Sequence, residues 1–126
     1  MHRLGKRELL VVQRDVEGLA AELEEILAEV QNGKPITLEI KGKIDSWKYK
    51  VGSEQKLLAT IATPMFTASQ HYTLSLNHMQ NAWNEFERSQ SGAGTAKGDV
   101  LLHANSLKLM RESLKEAKLC MDQGKY

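Results

Sequence analysis

Residues 36–51 read "ITLEIKGKIDSWKYKV", and two periodicities compete within them. "ITLEI" and "WKYKV" each alternate apolar with polar, with "KGK" between them. That is the pattern of a β-hairpin made from good strand formers around a glycine turn. Ile40, Ile44, Trp47 and Val51 are also spaced 4, 3 and 4, which places them on one stripe of a helix. The stripe resumes at Leu58, Ile61 and Met65, with Glu54 where an apolar residue belongs. Periodicity over so short a run does not decide between the two.

The rest of the chain favours helix. Leu9, Val12, Val16, Leu19, Leu23, Ile26 and Val30 keep a 3,4 spacing over three heptads, as in a helix packed lengthwise on another. Ser69, Tyr72, Leu76, Met79, Trp83 and Phe86 repeat the spacing, and so do Val100, His103, Leu107, Met110, Leu114, Ala117 and Met121. Leu23, Leu76 and Leu107 are therefore expected in the core. Asn32-Gly33 and Pro35 signal a helix end. Thr63-Pro64 marks a kink or turn before the third seam. Residues 89–98, within "SQSGAGTAKGD", read as a flexible loop, with Asp99 placed to cap the last helix.

Charge arbitrates the middle segment. Glu8, Asp15, Glu22 and Glu29 lie seven apart on one edge of the first seam. If residues 36–51 are helical, Lys43 and Lys50 occupy the matching flank and Lys41 and Lys48 the other. A helical hairpin then sets Lys43 and Lys50 against Glu22 and Asp15, and flanking charges of this kind select partner and orientation. A β-hairpin gives the acidic ladder no purpose. The cost of the helix is Gly42 and Gly52, about 1 kcal/mol each relative to Ala. A break at Gly52, with Ser53 as a new N-cap, would place Glu54 in an exposed first turn.

The 126 residues suit one domain, 1–126. Seventeen basic and sixteen acidic side chains leave +1. That total excludes a strongly polyanion-seeking protein on net charge but leaves room for a local patch. Cys120 is the only cysteine, so no intrachain disulfide forms, and a reducing, cytoplasmic setting is expected. The start "MHRLGKRELLVVQRD" holds only four consecutive apolar residues, too few for a signal-peptide core. No run approaches a membrane span, and no membrane partner is expected.

Each candidate for chemistry has a plainer structural reading. Lys41, Lys43, Lys48 and Lys50 around Trp47 and Tyr49, with Lys34 and Lys56 nearby, suit a nucleic-acid surface. Opposite an acidic ladder they suit a helix pair. "GAGTAKGD" leads into a helix N-terminus but lacks the spacing of a phosphate loop. His71 and His78 are about 10.5 Å apart along a helix, too far to share one ion. His103 on a seam reads as a core histidine, and Cys120 as a small half-buried one. Glu54 would need a second titratable group to do acid–base work, and the pattern places none beside it. Catalytic, cofactor and metal sites are therefore not expected. Tyr72, Met79, Trp83 and Phe86 form a stripe of residue types enriched at interfaces and are the candidate partner surface.

The sequence thus predicts an all-α fold, an antiparallel bundle of three to four long helices with coiled-coil-type seams. An α+β fold with a β-hairpin at 36–51 is the alternative. The expected function is a non-enzymatic protein–protein interaction or assembly module, a subunit of a complex or a homo-oligomer. A small nucleic-acid-binding subunit is the other reading.

Overall fold

A computed structural model describes residues 2–31, 35–90 and 96–126, with residues 31, 90 and 96–102 described by their backbone alone. It contains α1 (Lys6–Gln31), α2 (Leu38–Ala59), α3 (Ala68–Gln90) and α4 (Ala96–Asp122), and no strand among the described residues. The segment 36–51 is helical from Leu38 onward, and the hairpin alternative is not what forms. Thr37 starts the helix, its Oγ1 accepting from the Ile40 N–H at 3.2 Å.

Burial explains why the helix prevails over the local alternation. The helical stripe buries Ile40, Ile44, Trp47, Val51 and Leu58 together, whereas a hairpin at 36–51 would have left Ile44 in its turn and Leu58 outside the pairing. The expected break at Gly52 does not occur either. α2 runs on to Ala59, because Val51 and Leu58 on either side anchor one continuous stripe. Glu54 consequently sits inside the helix, half-buried, rather than in an exposed first turn.

All seven residues of the α1 seam are buried, as are Ser69, Tyr72, Leu76, Met79, Trp83 and Phe86 of α3. Leu23 and Leu76 are fully enclosed, whereas Leu107 is only partly buried at the edge of the core. Met65 leaves its expected stripe and is exposed in the connection after α2. Cys120 is more buried than expected, and its Sγ donates to the Phe66 carbonyl at 3.5 Å. α4 begins at Ala96, so Asp99 lies inside the helix rather than at its cap. Of the loop expected at 89–98, residues 89–90 and 96–98 are helical, and 91–95 lie outside the described residues, as does the Asn32-Gly33 turn.

Cross-helix bonds fix the up-down-up-down order. The Trp47 indole donates to the Leu19 carbonyl at 2.9 Å, and α1 residues 14–22 lie beside α2 residues 49–54 while 22–29 lie beside 42–46, so the two run in opposite directions. Lys48–Glu87 and Gln55–Asn77 set α2 antiparallel to α3, Ser106–Glu85 and Ser69–Tyr126 do the same for α3 and α4, and Arg111–Glu24 joins α4 to α1. α1 and α3 touch across one diagonal, while α2 and α4 do not meet among the described residues.

α3 and α4 are the most closely packed pair. Ala68, Ser75 and Ala82 recur every seven residues on α3, and Ser106, Ser113 and Cys120 do the same on α4, all buried. Small side chains at heptad spacing let helix axes approach. Two of the buried hydroxyls are satisfied, Ser75 on the Met110 carbonyl at 3.1 Å and Ser106 on the Glu85 carboxylate at 3.2 Å. The chain after α4 returns to the start of α3. The Ala68 N–H donates to the Lys125 carbonyl at 2.8 Å, and the Ser69 Oγ to the Tyr126 main-chain oxygen at 2.6 Å. Those carbonyls occupy donors that a helix start leaves unpaired.

Candidate site in the cleft between α1 and α2

α1 and α2 leave a cleft along their shared edge. Its wider part, about 630 Å³, is lined by Arg14, Asp15, Gly18, Leu19, Tyr49 and Glu54 among others. A second widening of about 370 Å³ lies between Glu25, Ile26 and Glu29 of α1 and Gly42, Lys43 and Ser46 of α2. Glu22 borders both. The apolar floor comes from the two seams. The polar walls are the flanking positions, which is why the acidic ladder of α1 and the lysines of α2 meet there.

Of the ladder, only Glu22 forms an ion pair with a lysine of α2 among the described residues. Lys50 pairs with Glu22 at 2.9 Å. That pairing lies one heptad from the expected Lys50–Asp15, while Lys43 lines the second widening together with Glu22, Glu25 and Glu29. Asp15 therefore faces Glu54, an acid, with Arg14 beside it at 3.5 Å. The other lysine flank turns toward α3. Lys48 lies 3.4 Å from Glu87 and 5.5 Å above the Trp83 ring, while Lys41 is exposed.

Asp15 and Glu54 form the chemically distinctive feature of the cleft. The Glu54 carboxyl is pushed up from 4.5 to about 7 by burial first, then by the neighbouring Asp15 carboxylate. Two neighbouring carboxylates resist ionising together. The Glu54 Oε2 is buried and accepts no hydrogen bond among the described groups. Deprotonation would leave an anionic oxygen there without a donor. Such a carboxyl can exchange its proton near neutrality or accept a cationic group from solution. The sequence pattern hid this partnership, since Asp15 and Glu54 are 39 positions apart. The antiparallel register is the signal that brings them together.

The other expected positions are placed as follows. Tyr72, Met79, Trp83 and Phe86 are at most 4% exposed, so the proposed partner stripe is core in this chain and its burial accounts for its composition. Trp83 lies between Trp47 and Phe86, with ring centroids at 6.2 and 5.6 Å. Phe86 in turn meets His103 edge-on at 5.6 Å. Burial lowers the His103 pKa, against the opposing effect of Glu85. Tyr49 is the exposed aromatic of the lysine segment, whereas Trp47 is fully enclosed. No group of three or more metal-ligating side chains occurs among the described residues. No described helix is long and apolar enough to cross a membrane.

The Lys50–Glu22 pair lends itself to a charge-swap test. Both groups are partly exposed, so Lys50→Glu should cost only about 0.2–1 kcal/mol in urea unfolding. Adding Glu22→Lys should return part of that loss. A double variant no better than the single one would mean the ladder does not set the pairing of α1 with α2.

Compared with protein-family models, curated proteins and solved structures, the chain finds no match in any of the three.

Proposed function

We propose that the protein is a non-enzymatic interaction or assembly module, and that the α1/α2 cleft receives a segment of a protein partner or of a second copy. The observation that carries this reading is the form of the cleft. It is open to solvent, has an apolar floor at Leu19, and carries both signs of charge on its walls. Those are the elements of side-chain recognition, an apolar contact with a few polar groups that fix orientation. The Asp15–Glu54 pair would also suit proton transfer, but that chemistry gains from excluding water, and this cleft is open.

The nucleic-acid reading rests on Lys41, Lys43 and Tyr49. The pairing of Lys48 and Lys50 with carboxylates, and the burial of Trp47, weigh against it. A salt titration of oligonucleotide binding separates the two readings.

Gly18 supplies the direct test. A Cβ built there meets nothing within 4 Å, so Gly18→Phe fills the cleft without touching the core. A photocrosslinker at Tyr49, on the rim, should give one discrete protein adduct in host cells. Gly18→Phe should abolish that adduct while the thermal midpoint stays level or rises, since glycine inside a helix costs about 1 kcal/mol. An adduct unchanged by Gly18→Phe, or no adduct, would overturn the reading.

A further inference from the structure

We infer that the end of the bundle carrying the α2–α3 connection docks on the surface of an anionic lipid bilayer. Three contacts assemble this end. The Ala62 N–H donates to the His2 carbonyl at 2.9 Å, the Ala68 N–H to the Lys125 carbonyl, and the Cys120 thiol to the Phe66 carbonyl. The start of the chain, the end of α2, the connection and the end of α4 therefore share one surface.

Apolar exposure concentrates there. Leu10, Val11, Leu57, Met65, Phe66 and Leu119 are each 44% or more exposed. They come from α1, α2, the connection and α4, so they surround the end rather than lining one side of it. A flat counterpart pressed end-on would reach all of them, whereas a partner helix lying along the bundle would reach few. At 1.5 Å per residue, the helical members lie within about 8 Å of their helix ends. Interfacial anchors bury apolar side chains about 5–10 Å into the headgroup boundary.

Charge selects the kind of surface. Residues 2–11, 56–67 and 118–126 carry Arg3, Lys6, Arg7, Lys56, Lys118 and Lys125 against Glu8 and Asp122. That is +4 at one end of a chain whose total is +1, which leaves −3 for the remainder. All six basic side chains are exposed, and none forms an ion pair among the described residues. A second copy docked end to end would set +4 against +4. An anionic bilayer meets both the charge and the apolar fringe.

Phe66 adds an independent mark. Its φ of 64° lies in the left-handed region, which a bulky residue rarely adopts. Its surroundings enforce the conformation. Its N–H donates to the Gln70 side chain at 2.7 Å, and Thr67, which caps α3, donates to the Pro64 carbonyl at 2.6 Å. The outcome is an aromatic ring 72% exposed at the tip. Strain held at an exposed position points to use. The sequence-based expectation of no membrane partner rested on the length of apolar runs, which bears on crossing a bilayer and not on lying against one.

Flotation of the full chain with vesicles tests this. Phosphatidylcholine vesicles containing about 30 mol% phosphatidylserine should carry the protein upward, and pure phosphatidylcholine vesicles should not. Raising salt from roughly 50 to 300 mM should release it. Met65→Asp/Phe66→Asp should weaken binding at least about tenfold, and so should Lys6→Glu/Arg7→Glu/Lys118→Glu. Leu38→Asp, 89% exposed at the opposite end, should change nothing. All these side chains are exposed, so thermal midpoints should stay near that of the parent and exclude unfolding as the cause. Absence of flotation, flotation indifferent to phosphatidylserine, or flotation retained by Met65→Asp/Phe66→Asp would each overturn the inference. So would tip variants that abolish self-association or oligonucleotide binding and leave vesicle binding intact.

Discussion

Trp47→Ala should destabilise the protein by about 3–5 kcal/mol in urea unfolding. Trp47 is fully enclosed. It carries out two tasks that attach α2 to the bundle. Its indole N–H reaches across to the Leu19 carbonyl of α1 at 2.9 Å, and its ring meets Trp83 of α3 at 6.2 Å with a 58° tilt. Truncation removes both and leaves a large cavity between three helices. Trp47→Phe separates the tasks, since it keeps much of the packing and loses the hydrogen bond. The cost should then fall to about 1–2 kcal/mol. A loss below about 1.5 kcal/mol for Trp47→Ala would mean that α2 is held by its charged edges rather than by this ring.

Glu54→Gln should remove most of the fall in stability between about pH 4.5 and 7. The Glu54 carboxyl titrates at about 7 when folded and at 4.5 when it is free. A raised carboxyl binds its proton more tightly in the folded state. Its contribution is therefore complete below about pH 4.5 and is lost as pH rises through about 7. The full shift would correspond to about 3 kcal/mol. Glu54 is only half-buried, and solvent screening brings the expected loss to about 1–2 kcal/mol. Glutamine keeps a donor for Asp15 without the charge, so the variant should be the more stable protein at pH 8. Burial lowers the His78 and His103 pKa values, and their contribution runs the other way, lost as pH falls below about 6.5. The histidines are common to both proteins, so the difference between variant and parent from about pH 4.5 to 8 isolates Glu54. Parallel pH profiles would show that Glu54 does not titrate near neutrality in the folded protein.

The fold was largely legible because its determinants repeat. Each seam offers six or seven apolar positions at one spacing, and an error at one position leaves the rest intact. The acidic ladder decided the disputed segment for the same reason, being periodic. What stayed hidden was register. Sliding one helix a heptad along its neighbour leaves every seam equally apolar but changes which charges meet. Lys50 was matched with the wrong rung, and Asp15 was not seen opposite Glu54, for that reason. The stripe from Tyr72 to Phe86 was ambiguous for a different reason. Residues suited to an interface are also suited to a core, and only the number of surrounding helices tells them apart. The apolar, basic end was invisible because its parts come from three separated stretches of sequence.

The tight pairing of α3 with α4 also determines how the molecule comes apart. The two helices are held by close axes, by buried hydroxyls bonded across them, and by the tie from residues 125 and 126 back to the start of α3. α1 and α2 are separated by an open cleft instead. Backbone amides in α1 and α2 should thus exchange with deuterium through partial openings that leave α3 and α4 protected. The cleft would widen in those openings without unfolding of the whole chain. Its affinity for any guest would then depend on how rarely α2 swings away, so that stiffening α2 tightens binding without any new contact.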